Sequence, residues 1–140
     1  MSGLFVLDSS VTLTWCFRSE RTPLSETLLD DLLDGSVALV PSLWATEVAN
    51  VLVRSVRRKL LAPSQAEAFV RPLLSLPIEA ESSPPEHGLQ EVRPLALRAN
   101  LNAYDATFLE LAHRLELPLA TLDEAMSKAA RGLGVELVEG

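Results

Sequence analysis

The sequence has 140 residues, the size of one domain, and a chain of this length can bury roughly two thirds of its unfolded surface without disulfides. Its net charge of −7 argues against loose binding to nucleic acid through a basic surface, but not against a nucleic-acid enzyme whose acids hold cations. No apolar run approaches the roughly 20 residues of a membrane-spanning helix, and the N-terminal residues do not resemble a signal peptide. We therefore expect a cytoplasmic protein with no membrane partner.

Hydrophobic residues make up 48% of the chain, a high share for a small protein, which favours coverage of some apolar surface by self-association. The single cysteine, Cys16, excludes an internal disulfide and a cysteine-based zinc site. Its position beside Trp15 is typical of a small core residue rather than a nucleophile. We therefore expect no thiol chemistry.

Short apolar runs predict the strands of the fold. Residues 4–7 lack polar alternation, which is typical of a strand buried on both faces of a parallel sheet. The further predicted strands are residues 37–40, 78–81, 118–121 and 135–138. Because helical patterns separate these runs, the sequence predicts an α/β sandwich around a mainly parallel sheet, with residues 1–140 as one domain.

Capping residues and hydrophobic periodicity predict the helices. The predicted helices are residues 10–17, 23–35, 43–61, 66–76, one around Pro94, 103–115 and 123–132. Residues typical of helix starts lie at or directly before the beginning of four of them: Thr22 with Pro23, Ser42, Asn102 and Asp123. Ser64 and Glu67 predict a capping box for the helix over 66–76, which Pro72 should kink or shorten. Residues 81–88 form the main predicted loop.

Four acidic residues lie at predicted carboxyl ends of strands or near predicted starts of helices. Asp8 and Asp123 each follow a short apolar strand, at the sheet edge where open α/β sheets bind ligands. Glu47 lies on an otherwise apolar face of the helix over 43–61, where a lone carboxylate is costly. Asp105 falls in the first turn of its helix. Each acid also has an ordinary interpretation, since Asp caps helices and the helix dipole favours acids in the first turn.

A cluster of such acids without matching buried Lys or Arg is unstable unless protons or cations neutralise it. Ligands that are all oxygen suit Mg²⁺ or Mn²⁺, which can polarise a phosphodiester and lower the pKa of a bound water. The acids together therefore indicate metal-dependent hydrolysis of nucleic acid.

Four ordered segments, VLDSSV, WATEVANVL, NAYDATFLELAHRL and LATLDEAMSKAA, resemble the PIN-domain ribonucleases of the VapC toxin type, over about residues 4–138. The resemblance implies a three-layer α/β/α fold, a Mg²⁺- or Mn²⁺-dependent endoribonuclease, and a cognate VapB-type antitoxin. Carried over residue by residue, it places the catalytic and metal-binding acids at Asp8, Glu47, Asp105 and Asp123. It places supporting polar groups at Ser10, Asn50 and Thr121. Together with the apolar composition, it also favours a homodimer.

Other polar residues fit this chemistry less well. His87 lies in the proline-rich loop, and His113 is about 80° from Asp105 around the helix axis, so we expect neither to be a general base. The densest basic group has two open interpretations, as helix-dipole partners or as contacts to RNA or antitoxin: Arg54, Arg57, Arg58 and Lys59. Arg18 and Arg21 could contact RNA phosphates near the mouth of the site.

Two alternative functions compete with the ribonuclease. In a haloacid-dehalogenase-like phosphatase, Asp8 would be a nucleophile, but that pattern needs a second aspartate where this chain has Ser10, and no well-placed lysine follows. In a non-catalytic PIN-like binding module, the acidic site would have decayed. The presence of all four acids argues against such decay. For the ribonuclease, these residues do not specify which RNA is cut.

Overall fold

The computed structural model describes residues 3–139, and within that range it contains a four-stranded sheet. The strands are β1 (Leu4–Leu7), β2 (Val37–Pro41), β3 (Ile78–Glu81) and β4 (Leu119–Ala120). They lie in the order β3-β2-β1-β4, and every pairing between them is parallel. The parallel sheet predicted from the apolar runs is therefore confirmed.

The strand β1 lies inside the sheet, with β2 on one side and β4 on the other. Val6 is opposite Leu39 of β2 and Leu119 of β4. Successive strand residues point to opposite faces, and both Val6 and Leu7 are fully buried, at 0% exposure. The unbroken apolar run of β1 thus reflects burial on both faces, and it delivers residue 8 to the carboxyl edge of the sheet.

Helices flank the sheet and complete a three-layer α/β/α sandwich. In the described part of the chain they are α1 (Ser9–Thr14), α2 (Pro23–Leu33), α3 (Leu43–Arg57), α4 (Pro63–Ser75), α5 (Pro85–His87), α6 (Arg93–Ala99), α7 (Ala103–Leu115) and α8 (Glu124–Leu133). A 3₁₀ turn (Arg18–Glu20) follows α1, and a π-helical turn (Gly88–Val92) joins α5 to α6. The helix α7 packs against β1 and β2, while α3 packs against α1 and β2. Among the described residues, no helix combines the length and the hydropathy needed to cross a membrane.

Three of the predicted helix caps are confirmed. The side chains of Thr22, Asn102 and Asp123 each accept the backbone N–H three residues further along, at the starts of α2, α7 and α8. Ser42 directly precedes α3, but its side chain makes no capping hydrogen bond. These caps fix where α7 and α8 begin, and so they position the acids in and beside their first turns.

The start of α4 differs from the prediction. The capping box of Ser64 and Glu67 is wrong, because the helix begins one residue before Ser64, at Pro63. The proline ring presets φ for the first helical position, and Gln65 Oε1 accepts the backbone N–H of Ala62 at 2.8 Å. The local cap is therefore the glutamine of the first turn.

Other helix bounds also differ. Pro72 lies inside α4 and does not end it, since the helix continues to Ser75, whose hydroxyl donates to the Pro72 carbonyl oxygen at 2.7 Å. The helix predicted over 43–61 ends at Arg57, because Lys59 has a left-handed φ of 60° that a helix cannot continue. The loop predicted over 81–88 turns helical at its end, in α5.

The last predicted strand, residues 135–138, is wrong as a strand. Leu137 forms an isolated parallel bridge with Leu119. The Leu119 N–H donates to the Glu136 carbonyl oxygen at 2.8 Å, and the Val138 N–H donates to the Leu119 carbonyl oxygen at 2.9 Å. Because β4 has only two residues, it offers too short an edge for a longer ladder.

Candidate acidic metal centre

Asp8 is held at the carboxyl end of β1 through both its backbone and its side chain. Its backbone N–H donates to the Ala120 carbonyl oxygen at 3.0 Å, which fixes residue 8 beside β4. The residue is 5% exposed, and its Oδ2 accepts hydrogen bonds from Ser10 Oγ and Thr121 Oγ1, both at 2.7 Å. Asp8 stands at the N-cap position of α1, as the helix-cap interpretation expected, but its side chain makes no capping hydrogen bond there.

The two hydroxyl groups that bind Asp8 are themselves fixed by the backbone. The Leu122 N–H donates to Ser10 Oγ at 3.0 Å, and the Asp123 N–H donates to Thr121 Oγ1 at 3.1 Å. A hydroxyl has a single hydrogen, so a hydroxyl that accepts these bonds still has its own hydrogen to donate to Asp8. Ser10 and Thr121 therefore orient the buried carboxylate in one fixed geometry.

Glu47 reaches the same edge of the sheet from α3. It is half-buried, and its Oε1 accepts a hydrogen bond from Ser9 Oγ at 2.9 Å. Because Ser9 opens α1 directly after Asp8, this bond ties α3 to the end of β1. The sequence interpretation missed Ser9, although a hydroxyl next to Asp8 is the signal that could have indicated it. Asn50 is exposed on α3, three residues beyond Glu47, with no hydrogen bond to any of the four acids.

The other two acids lie at helix starts. Asp105 is half-buried in the first turn of α7, and its backbone N–H donates to Asn102 Oδ1 at 2.8 Å. Asp123 is exposed as the N-cap of α8, where its Oδ2 accepts the Met126 N–H at 2.9 Å. The partial positive charge of a helix start stabilises a carboxylate there. Asp123 thus has a structural function as a cap in addition to its place among the acids.

Burial and mutual repulsion raise the pKa of three of these acids. Burial is the largest cause for Asp8, where the two hydroxyl bonds oppose it and the charge of Asp123 adds to it. Burial likewise raises the pKa of Glu47, against the hydrogen bond from Ser9, and the charges of Asp8 and Asp105 add to the rise. For Asp105, burial comes first and the charges of Asp8 and Asp123 follow. The four acids therefore interact electrostatically as one group, which we call the acidic site.

The chemistry of the acidic site fits a hard divalent cation. No Lys, Arg or His in the described part of the chain forms an ion pair with any of its acids. Within residues 3–139, no group of three or more His, Cys, Asp or Glu side chains is placed so that it could hold a metal ion. Mg²⁺ usually takes one or two carboxylates and keeps several waters, so it does not need such a set. Donors that are all oxygen, with uncompensated negative charge, suit Mg²⁺ or Mn²⁺.

A second group of acids lies between β3, α5 and α7, and it contains its own cation, Arg114. We call it the compensated cluster, and its members are Glu81, His87, Glu110 and Arg114. Arg114 donates through Nε to Glu110 at 3.1 Å and through both terminal nitrogens to Glu81, whose hydrogen bonds are the largest cause of the raised pKa of Arg114. His87 Nε2 lies 2.7 Å from Glu110 Oε1. The cluster ties the end of β3 and α5 to α7, the helix that carries Asp105.

Neither histidine joins the acidic site. His87 belongs to the compensated cluster, and His113 is exposed near the end of α7. Cys16 is half-buried against the core. Ser10, at the position where the phosphatase pattern needs a second aspartate, donates a hydrogen bond to Asp8 instead. Residue 10 therefore holds Asp8 in place, and it lacks the carboxyl group that the phosphatase pattern would use to protonate a leaving group.

A family model of the PIN domain matches residues 5–132. The chain belongs to the PIN domain family. It is 33% identical over 113 residues to the ribonuclease VapC1 of Mycobacterium tuberculosis, in both strain CDC 1551 / Oshkosh and strain H37Rv, and the alignment covers 81% of this chain and 82% of each relative. The resemblance to VapC-type PIN domains, first seen in the four ordered segments, is therefore confirmed.

Two solved structures are similar in fold. PAE2754 from Pyrobaculum aerophilum has a TM-score of 0.70 at 21% identity, covering 94% of this chain and 90% of its own. VapBC2 from Rickettsia felis, bound to a DNA fragment from its promoter, has a TM-score of 0.69 at 15% identity, covering 97% of this chain and 98% of its own. At these identities the likeness establishes the fold, and it confirms the predicted three-layer sandwich.

Proposed function

We propose that the protein is a Mg²⁺- or Mn²⁺-dependent endoribonuclease that hydrolyses RNA phosphodiesters at the acidic site. The observation that carries this proposal is the acidic site itself, in which Asp8, Glu47, Asp105 and Asp123 interact without a protein cation at the carboxyl edge of a parallel sheet. The similarity to ribonuclease VapC1 over 81% of the chain supports RNA as the substrate. The family match over residues 5–132 supports one PIN domain over the whole chain.

Asp8 has a different task from the other three acids in this proposal. Asp8 is the most rigid, since a buried carboxylate with two fixed hydroxyl donors keeps its orientation. Glu47, Asp105 and Asp123 are more exposed and supply further oxygen ligands around it. When bound, Mg²⁺ or Mn²⁺ supplies positive charge that polarises a phosphodiester and lowers the pKa of a coordinated water. Because Asp8 is buried, water is excluded from its side of the site, which strengthens these electrostatic interactions.

We also propose that the protein is the toxin of a VapBC-type pair, acting in the cytoplasm as a homodimer. The similarity in fold to VapBC2 supports a VapB-type antitoxin partner. Apolar side chains at the surface support both self-association and antitoxin binding. The most exposed large ones are Leu97, Leu74, Leu33, Leu60, Leu89 and Tyr104.

The test is RNA cleavage by protein purified free of antitoxin, with structured RNAs incubated in Mg²⁺, in Mn²⁺ and in excess chelator. We expect cleavage with either metal and none in chelator. The Asp8→Asn variant should lose at least about 100-fold in rate, more than the loss of an outer-shell contact costs. The matched control is Glu67→Gln, which removes one carboxylate from an exposed ion pair with Arg71 at 3.9 Å and should cleave normally. Undiminished cleavage in chelator, or by Asp8→Asn, would overturn the proposed mechanism. Binding of RNA without cleavage under all conditions would favour the non-catalytic module.

A further inference from the structure

The helix α3 carries a concentration of positive charge on a chain that is otherwise acidic. Four of the 12 Lys and Arg residues fall within six consecutive positions, and all four are exposed. Three of them lie on the last turns of α3 and its C-cap, and we call them the basic stripe: Arg54, Arg57 and Arg58. Among the described residues, no acid forms an ion pair with any of the three. Their charges are therefore available to an external anion.

The basic stripe lies on the same side of α3 as Glu47. At about 100° per residue, Glu47, Asn50 and the basic stripe fall within an arc of about 100° around the helix axis. The buried residues of α3 occupy a separate arc: Trp44, Val48, Leu52 and Ser55. At about 1.5 Å per residue, the stripe extends to about 17 Å from Glu47 along the axis. One side of α3 thus carries Glu47 of the acidic site, then Asn50, and then the three arginines of the basic stripe.

We propose that the basic stripe is a docking track for the phosphate backbone of a single-stranded RNA segment that leads into the acidic site. The proposal rests on the proposed function. Guanidinium groups bind phosphate through paired hydrogen bonds, and they hold a strand in place without reading its bases. Arg54 lies about one turn of helix before the adjacent Arg57 and Arg58, so the stripe offers positive charge at two levels along the axis. Charges spaced along a surface in this way can follow an extended backbone, as basic grooves do in proteins that bind single strands.

Continuity with the acidic site favours RNA over an acidic peptide as the occupant. An RNA cut at the acidic site must pass Glu47, so the nucleotides that flank the cut lie within reach of the exposed side of α3. Interaction with the helix dipole alone would not require the arginines to share a side with Glu47, since a cation anywhere on the last turn meets the dipole. The alignment of the stripe with the site is explained by a ligand that contacts both.

The test compares two triple variants that remove equal charge from different places. The stripe variant is Arg54→Gln, Arg57→Gln and Arg58→Gln; the control variant is Arg98→Gln, Lys128→Gln and Arg131→Gln, three exposed cations on α6 and α8. Affinity for a labelled single-stranded RNA of about 12 nucleotides is measured in chelator over a range of salt. Each phosphate contact to a single strand contributes about −0.7 to the slope of log K against log salt. The stripe variant removes three such contacts, so its slope should be shallower than that of the parent by about 2. The control variant should keep the parent slope.

The length of the RNA strand and the steady-state kinetics of cleavage provide a second measurement. In Mg²⁺ the stripe variant should show a KM about tenfold higher with kcat unchanged, because the contacts act on binding and not on the reacting phosphate. The KM for a strand too short to reach from Glu47 to the stripe should not change. A third variant, with lysine at all three stripe positions, should retain the slope, since lysine keeps the point charge. If the Gln variant fails to fold in thermal melts, Arg57→Gln alone should lower the slope by about 0.7.

An unchanged slope in the stripe variant, or an equal loss in the control variant, would overturn the docking track. Loss of antitoxin affinity with an unchanged RNA slope would also overturn it and identify the stripe as a protein-binding surface. Failure of the proposed function is a separate result: the parent would then cleave no RNA in either metal, whereas the salt slopes in chelator would still report whether the stripe binds phosphates.

Discussion

The acidic site and the compensated cluster both contain carboxylates, and they differ in what neutralises those carboxylates. In the compensated cluster, Glu110 and Glu81 share the guanidinium of Arg114, and His87 lies within hydrogen-bonding distance of Glu110. In the acidic site, the carboxylates of Asp8, Glu47 and Asp123 accept hydrogen bonds from hydroxyl or backbone N–H groups. No protein cation in the described chain pairs with any of the four acids. The first arrangement can stabilise the fold by itself.

A structural acid and a functional acid differ in what their neutralisation depends on. An ion pair inside the protein satisfies its acids at all times, so breaking it costs stability. A group of unpaired acids repels itself in the absence of a ligand, so the protein keeps it at the expense of stability. Substituting one acid from each group should therefore affect activity and stability in opposite patterns.

The largest expected effect is the loss of RNA cleavage in Asp105→Asn. This change removes one oxygen charge from the acidic site, so metal affinity and cleavage should fall by about 100-fold or more, as for other ligand changes. In chelator the same variant should melt at the parent temperature or above, because the repulsion of Asp105 by Asp8 and Asp123 is relieved. The measurements are a cleavage assay in Mg²⁺ and thermal melts in chelator.

Either half of that prediction can fail separately. A clear fall in the melting temperature of metal-free Asp105→Asn would show that Asp105 serves mainly as a first-turn residue of α7. Normal cleavage would remove Asp105 from the metal site. Antitoxin binding should survive if it depends mainly on apolar surface, and it serves as the check that the variant is folded.

A smaller effect of the opposite kind is expected from Glu110→Gln in the compensated cluster. The glutamine keeps one oxygen acceptor but removes the charge that Arg114 and His87 face, at a side chain only 12% exposed. We expect a loss of about 1 kcal/mol of stability, or about 4 °C in melting temperature, with cleavage unchanged. The control is again Glu67→Gln on the surface of α4, which should melt like the parent. Loss of cleavage without loss of stability in Glu110→Gln would mean that the cluster acts on the site through α7.

The parts of the site that could be predicted from sequence are those set by local pattern. The run before Asp8 has strand character on its own, and Asn102 and Asp123 cap helices through bonds to residues three positions away. The bonds from Ser9 to Glu47 and from His87 to Glu110 depend on how two helices are rotated about their axes, which periodicity does not specify at this precision.

The same reasoning explains the errors in the fold. The strand predicted over 135–138 has the right composition, but strand formation also requires an edge to pair with, and β4 offers two residues. At α4, a proline and a glutamine outweighed the serine and glutamate that fit the capping pattern.

The smallest expected effect is on the pH dependence of stability in the metal-free protein. Burial first, and then neighbouring charges, raise the pKa of Glu47 and Asp105 above ordinary values of 4.5 and 3.8. The folded protein therefore binds these protons more tightly than the unfolded chain does. The resulting stability is fully present below the ordinary values and is lost as the pH rises through the raised ones.

Other carboxylates titrate in the same range, so the measured quantity is the difference in melting temperature between Asp105→Asn and the parent. Because Asp105 is only half-buried, water screens its interactions, so we expect the difference in melting temperature at neutral pH to correspond to at most about 1 kcal/mol of unfolding free energy. In chelator, this difference should be near zero or negative at about pH 3.5 and should become more positive towards neutral pH, as the parent alone acquires the charge at residue 105. In saturating Mg²⁺ the trend should reverse, because the cation binds the deprotonated acids of the parent more tightly than those of the variant. A difference that stays constant with pH in chelator would show that Asp105 is not repelled by Asp8 and Asp123, and the four acids would then not act as one group.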